Sequence, residues 1–209
     1  MKRARTDSAK DQRRTELLEA ALNEFYEKGF FAARMDDIAA RAKLSKGTLY
    51  LYFENKHDVF RSIIETFAVA NASRLEAALT STPSLFEGFE AMTKLVPLIL
   101  HHSPMPKLIK VLVGDSTSFP ETVESYRRNV IDRLHGALER AVADAHARGE
   151  IRAPDAATTA RLIVAPLALS MLWQVVFAAG APPEKQLDLD KLLRTHLEYL
   201  CKALAPLPA

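Results

Sequence analysis

Nine consecutive residues, Ser45-Lys46-Gly47-Thr48-Leu49-Tyr50-Leu51-Tyr52-Phe53, hold the densest set of groups suited to recognition chemistry. Leu49 and Phe53 stand four apart, so they share one helical face and can anchor the segment on a core. Lys46, Thr48, Tyr50 and Tyr52 are left to project elsewhere. They supply a cation, a hydroxyl and two phenols, all matched to phosphate oxygens and base edges. Gly47 has no side chain near the helix start, which lets the backbone come close to a partner. The pattern predicts the groove-reading helix of a helix-turn-helix.

The flanking residues supply the elements that would hold this helix in place. Leu17, Leu18, Ala21, Leu22, Phe25 and Tyr26 form a helical stripe over about 11–28, and Gly29 ends it in a left-handed cap. Met35 to Ala42 reads as a short second helix anchored by Ile38, with Asp36 and Asp37 in its first turn, where the helix dipole favours anions. Lys43-Leu44 form the turn and Ser45 is the expected N-cap of the third helix. Asn55 then caps a long helix, with Asp58 reaching back, running to about Ala78 with Val59, Ile63, Phe67 and Ala70 inward. Residues 1–10 are polar and are expected to be a mobile basic arm.

Composition narrows the function classes. The 209 residues are 48% hydrophobic and 26% charged, as in a globular protein with a core. The net charge of +2 is small, but residues 1–56 carry an excess of three positive charges and the remainder a deficit of one. The basic excess lies with the DNA-reading part. No phosphate-cradling glycine motif occurs, no cofactor is implied, and the six histidines form no metal-binding spacing. Cys201 stands alone, which excludes an intrachain disulfide and suits the reducing cytoplasm. The basic start is followed by further charge, unlike a signal peptide.

The rest of the chain reads as helices throughout: an all-α protein of about nine helices, with a three-helix head over 11–55 and a larger body over 56–209. Phe119-Pro120 starts a helix striped by Val123, Tyr126, Val130, Ile131, Leu134, Leu138 and Val142. From Leu162 to Pro183 there is no charged residue, enough by length for a membrane span. Pro166, Ser170 and Gln174 interrupt that run, and a helix apolar all round also suits a subunit interface. The last helix, about Asp188 to Leu204, lines up six leucines and would form a four-helix dimer seam with its neighbour. Phe86, Phe89, Met92, Leu112, Tyr126, Met171 and Trp173 are candidate walls of a ligand pocket; simple packing, and for Trp173 the dimer core, are the competing roles.

Residues 13–60 resemble the TetR family of bacterial transcriptional regulators. The matching run is Ala20-Ala21-Leu22-Asn23-Glu24-Phe25 through Lys28-Gly29-Phe30, then Met35-Asp36-Asp37-Ile38-Ala39, the stretch 45–53, and Asn55-Lys56. The resemblance implies a homodimer on a palindromic double-stranded DNA operator and a small-molecule effector with an apolar part. It implies base contacts for Lys46, Gly47 and Tyr50, phosphate contacts for Ser45, Thr48, Tyr52 and Lys56, and packing of Leu51 on a thymine methyl or the sugar backbone. Two positions depart from the family pattern. Arg34 stands where the second helix usually has a Ser or Thr cap, which points to a phosphate contact, with Asp37 a replacement acceptor for the Arg34 backbone. Lys43 stands where relatives have Gly, adding a strained left-handed residue and a cation facing DNA. A helical enzyme, and a membrane or scaffold protein using 162–183, are the alternative functions.

Overall fold

The computed structural model describes residues 2–177 and 187–206, with side chains described from residue 12 apart from 118 and 174–176. The described residues form nine helices and no strand. Helix α1 (Lys2–Lys28) packs on α2 (Met35–Arg41), and α2 packs on the short α3 (Lys46–Tyr50), to make the head. The arm expected over 1–10 is, from Lys2 onward, the first part of α1. Lys2–Lys28 contains no Gly or Pro, so nothing in it interrupts the backbone ladder.

The body begins with α4 (residues 56–80), one continuous helix in three stretches: Lys56–Ile63, a π turn at Ile64–Val69, and Ala70–Thr80. Asn55 caps it by accepting hydrogen bonds from His57 N and Asp58 N, and Asp58 reaches back to Glu54 N at 3.2 Å. Val59, Ile63 and Phe67 are buried as the periodicity predicts. The π turn then shifts the inward face, so Ala68, Asn71 and Ala72 are buried while Ala70 is only partly so. Helix α5 (Leu85–His102) and α6 (Met105–Gly114) follow, joined at Ser103-Pro104. Helix α7 (residues 120–147) starts at Pro120 and carries its own π turn at Arg127–Asp132, which touches the one in α4.

Helices α8 (Ala156–Val176) and α9 (Leu189–Leu204) complete the body. The leucine face of α9 does not point outward as a dimer seam: Leu189, Leu193, Leu197 and Leu204 are buried in the chain's own core. The exposed apolar stripe lies on α8 instead, through Leu162, Leu169, Trp173 and Phe177. The end of the uncharged run, 178–183, lies outside the described residues.

Two apolar cores result. The upper one, built from α4, α5, α7, α8 and α9, includes Leu79, Phe89, Leu138, Ile163, Leu193 and Leu197. The lower one does not stop at the head. It joins Leu18, Phe25, Phe30, Ile38 and Leu49 to Phe60, Phe67, Leu108, Val111, Phe119 and Val130. Burial of large side chains at about 1.5–3 kcal/mol each makes this shared core the main bond between head and body.

Candidate nucleic-acid interface and effector cavity

The turn between α2 and α3 is closed by two backbone bonds, Lys43 N to Ala40 O at 3.0 Å and Leu44 N to Ala39 O at 2.9 Å. This is a Schellman closure, and it places the residue after the cap in the left-handed region. That residue is Lys43 at φ 55°, the only non-glycine with positive φ among the described residues. The comparable closure after α7 uses Gly149 at φ 71°. The strain expected for Lys43 is therefore present, and its side chain is exposed.

Ser45 caps α3: its Oγ accepts from Thr48 N at 3.1 Å and lies 2.7 Å from Thr48 Oγ1. Leu49 and Phe53 are buried, while Tyr50, Leu51 and Tyr52 stand 46%, 85% and 50% exposed. Leu51 at that exposure has no packing role in the chain itself. Gly47 is informative in the same way. A Cβ placed there would meet nothing nearer than Ser45 Oγ at 3.9 Å, so the missing side chain is felt only by something outside the protein.

Lys46 is not a free cation. Its ammonium lies 2.8 Å from an Asp36 carboxylate oxygen, and the hydrogen bond to Asp36 is the main cause that raises its pKa above the ordinary lysine value. Both side chains are well exposed, so a phosphate can replace the carboxylate at small cost. Arg34 is exposed and precedes α2 in extended conformation, and α2 has no side-chain cap. Asp37, the expected replacement acceptor, pairs with Lys28 at 3.0 Å.

The structure corrects Lys56. Its ammonium donates to Phe30 O at 2.9 Å, Phe31 O at 2.7 Å and Ala33 O at 3.4 Å. An ammonium has three donors, and all three are directed at the chain after Gly29. Lys56 fixes the α1–α2 corner rather than offering itself to a phosphate. Sequence reading also passed over the side chains that brace this corner. Glu24 is buried between Lys28, at 2.6 Å, and Arg41, at 2.8 Å. Arg41 also binds Glu27, whose hydrogen bond is the leading cause that raises the guanidinium pKa and lowers that of Glu27. Glu24, four residues before Lys28, carried a signal for one of these contacts; the others join residues 14 and 17 apart.

Above the head, the upper core holds a partly open cavity of about 120 Å³. Of the candidate walls, Phe89, Met92 and Met171 line it. Phe86 sits beside Phe89, ring centroids 6.5 Å apart, partly buried behind the wall. Leu112 and Tyr126 belong to the lower core, and burial pushes the Tyr126 phenol up to about 12. Trp173 is 42% exposed on the α8 stripe, packed on Phe177. Those four are not cavity walls. The walls that sequence reading missed are mostly plain aliphatics, among them Leu75, Val96, Leu134, Val164 and Leu197, which look like any core residue in one dimension.

A direct route joins cavity and head. Helix α5 lines the cavity and leads into α6. Helix α6 packs on α1 through Leu108 and Val111, sets Lys110 over the Tyr26 ring at 4.0 Å, and hydrogen-bonds Lys107 to Asn23. Just past it, Asp115 Oδ2 accepts from Phe30 N at 2.9 Å, and the Phe30 ring lies 4.8 Å from that of Phe119.

Comparisons with known proteins agree with this layout. Residues 17–63 match the model of bacterial regulatory proteins of the tetR family, and residues 90–198 match the C-terminal domain of AefR-like transcriptional repressors. An uncharacterized HTH-type transcriptional regulator of Bacillus subtilis, YfiR, is 44% identical over 61 residues, 29% of this chain and 30% of that protein. The HTH-type transcriptional repressor SCO4008 of Streptomyces coelicolor is 29% identical over 147 residues, 66% of this chain and 69% of that protein. In fold, the chain is similar to SmeT, the repressor of the Stenotrophomonas maltophilia multidrug efflux pump SmeDEF. The TM-score is 0.71 at 23% identity, over 93% of this chain and 97% of that one.

Proposed function

The chain belongs to the tetR family of bacterial regulatory proteins, and on that premise we propose that it is a ligand-responsive transcriptional repressor that binds a palindromic operator as a homodimer. The observation that carries this reading is the exposed edge of α3. Lys46, Tyr50, Leu51 and Tyr52 stand outward around a glycine the fold itself does not require. In this reading Lys46, Gly47 and Tyr50 meet bases. Ser45, Thr48, Tyr52, Arg34 and Lys43 lie along phosphates, and Leu51 packs on a thymine methyl or the sugar backbone. Two copies of α3 enter successive major grooves about 34–36 Å apart. The exposed stripe of α8 supplies the face a second copy covers.

Among the described residues α8 is also the one helix long and apolar enough to cross a membrane. The subunit reading is favoured because its outward side chains form one stripe while its other side packs on α6, α7 and α9. The relatives that carry a stated function are regulators, and the reading needs no catalysis and places the protein in the cytoplasm with its operator. SmeT has also been solved as a complex with triclosan. By that likeness, a small molecule in the cavity of this chain shifts α5, hence α6 and its contacts with α1, and changes the spacing of the two heads. Allosteric coupling between two sites is typically worth about 1–3 kcal/mol. We take 11–55 as the head and 56–209 as the sensing body, with the lower core shared between them.

Footprinting tests the reading. Lys46→Ala and Tyr50→Ala should each abolish operator protection while the dimer still elutes intact from a sizing column. Normal protection by both variants would remove α3 as the reading element.

A further inference from the structure

Resting on the reading of the cavity as the effector site, we propose that the part of the effector entering it is an electrically neutral hydrocarbon body about the size of one six-membered ring. Every side chain lining the cavity is Leu, Ile, Val, Met or Phe. No lysine, arginine, histidine or carboxylate borders it, so a charged group would lose its water with nothing to replace it. Ser170 and His196 border a smaller cleft that shares Leu100, Leu167 and Leu193 with the cavity. Both are already committed to backbone: Ser170 Oγ donates to Pro166 O at 2.6 Å, and His196 Nε2 lies 3.1 Å from Ile163 O. Neither offers the counter-charge that a carboxylate or an ammonium would need.

Size sharpens the class further. A void of about 120 Å³ walled only by hydrocarbon and thioether is too apolar to hold water well. An apolar cavity of roughly 150 Å³ in another protein stays dry and takes up benzene. Selectivity here therefore comes from exclusion of charge and from shape, with Met92 and Met171 as the adjustable walls, since the unbranched thioether changes rotamer easily.

Calorimetric titration of the full chain with toluene, benzoate and benzylammonium tests this. Toluene should bind saturably, and the two ions of similar size at least about 100-fold more weakly. Val96→Phe, which fills the cavity from α5, should abolish toluene binding with the helical circular-dichroism signal kept. Met92→Ala, which enlarges it, should shift preference from toluene towards naphthalene and serves alone if Val96→Phe does not fold. Benzoate or benzylammonium binding as tightly as toluene would overturn the proposal. So would no saturable toluene binding, or toluene binding that neither substitution alters. Operator footprints of the same samples separate the two readings. Neutral binding that the filled variant removes, with protection unchanged throughout, keeps the ligand class and sinks the effector role.

Discussion

Lys56 shows how a residue that looks functional can be consumed by the fold. The family resemblance implies a phosphate contact for it, yet its ammonium closes the α1–α2 corner on three carbonyls. Lys56→Met should lower stability by about 1–3 kcal/mol, the cost of leaving partly buried acceptors without a charged donor. Thermal unfolding measures that, and the salt dependence of operator binding should keep its slope. A slope reduced by roughly one would return Lys56 to the phosphate contacts. Lys43 is the opposite case, a strained residue kept at an exposed turn. Lys43→Gly should raise stability by about 1 kcal/mol by relieving the left-handed backbone. If the side chain lies along a phosphate, the same substitution lowers the salt slope by roughly one, and an unchanged slope removes that role. What was legible at this scale was local. The Ser45 and Asn55 caps follow from spacings of two and three residues, whereas the partners of Lys56 lie 23 to 26 residues away.

Among the elements, α6 is the one whose role could not be read in advance. It is ten residues long, and its stripe of Leu108, Val111 and Leu112 is ordinary core. Its importance comes from what it touches: α1 along its length, and Phe30 N through the following Asp115. Asp115→Ala leaves that part-buried amide without its acceptor and should cost about 1–3 kcal/mol, while Asp115→Asn keeps an acceptor oxygen and should cost less. In the coupling scheme proposed above, the alanine variant should also show a smaller difference in operator affinity with and without effector. Unchanged coupling in an alanine variant that is measurably destabilised would show that the signal passes elsewhere. The starts at Pro120 and Asp188 were legible. The π turns in α4 and α7 were not, since a single inserted residue leaves no mark in composition and only shifts the face, as at Ala70 and Asn71.

For the molecule as a whole, the all-helical class and the head-then-body order were readable from periodicity, but which apolar face meets which was not. The leucines of α9 and the uncharged run of α8 were both candidates for the subunit seam. Folding turns the first inward and leaves the second out, because α9 retains a charged side, Lys191, Arg194, Glu198 and Lys202, that can face water. Leu169→Arg combined with Trp173→Glu should therefore give a monomer on a sizing column, with operator affinity lost to the same degree as dimer. A dimer that survives both changes would move the interface off α8.

The shared lower core has a practical consequence for protein engineering. A chimera that joins residues 1–55 of this chain to a foreign sensor would cut through the packing of Phe25 and Phe30 on Phe60 and Phe119. It would also discard the Asp115 acceptor. A transplantable reader must carry the first turns of α4 and bring a host whose own corner can replace the segment from Leu108 to Phe119.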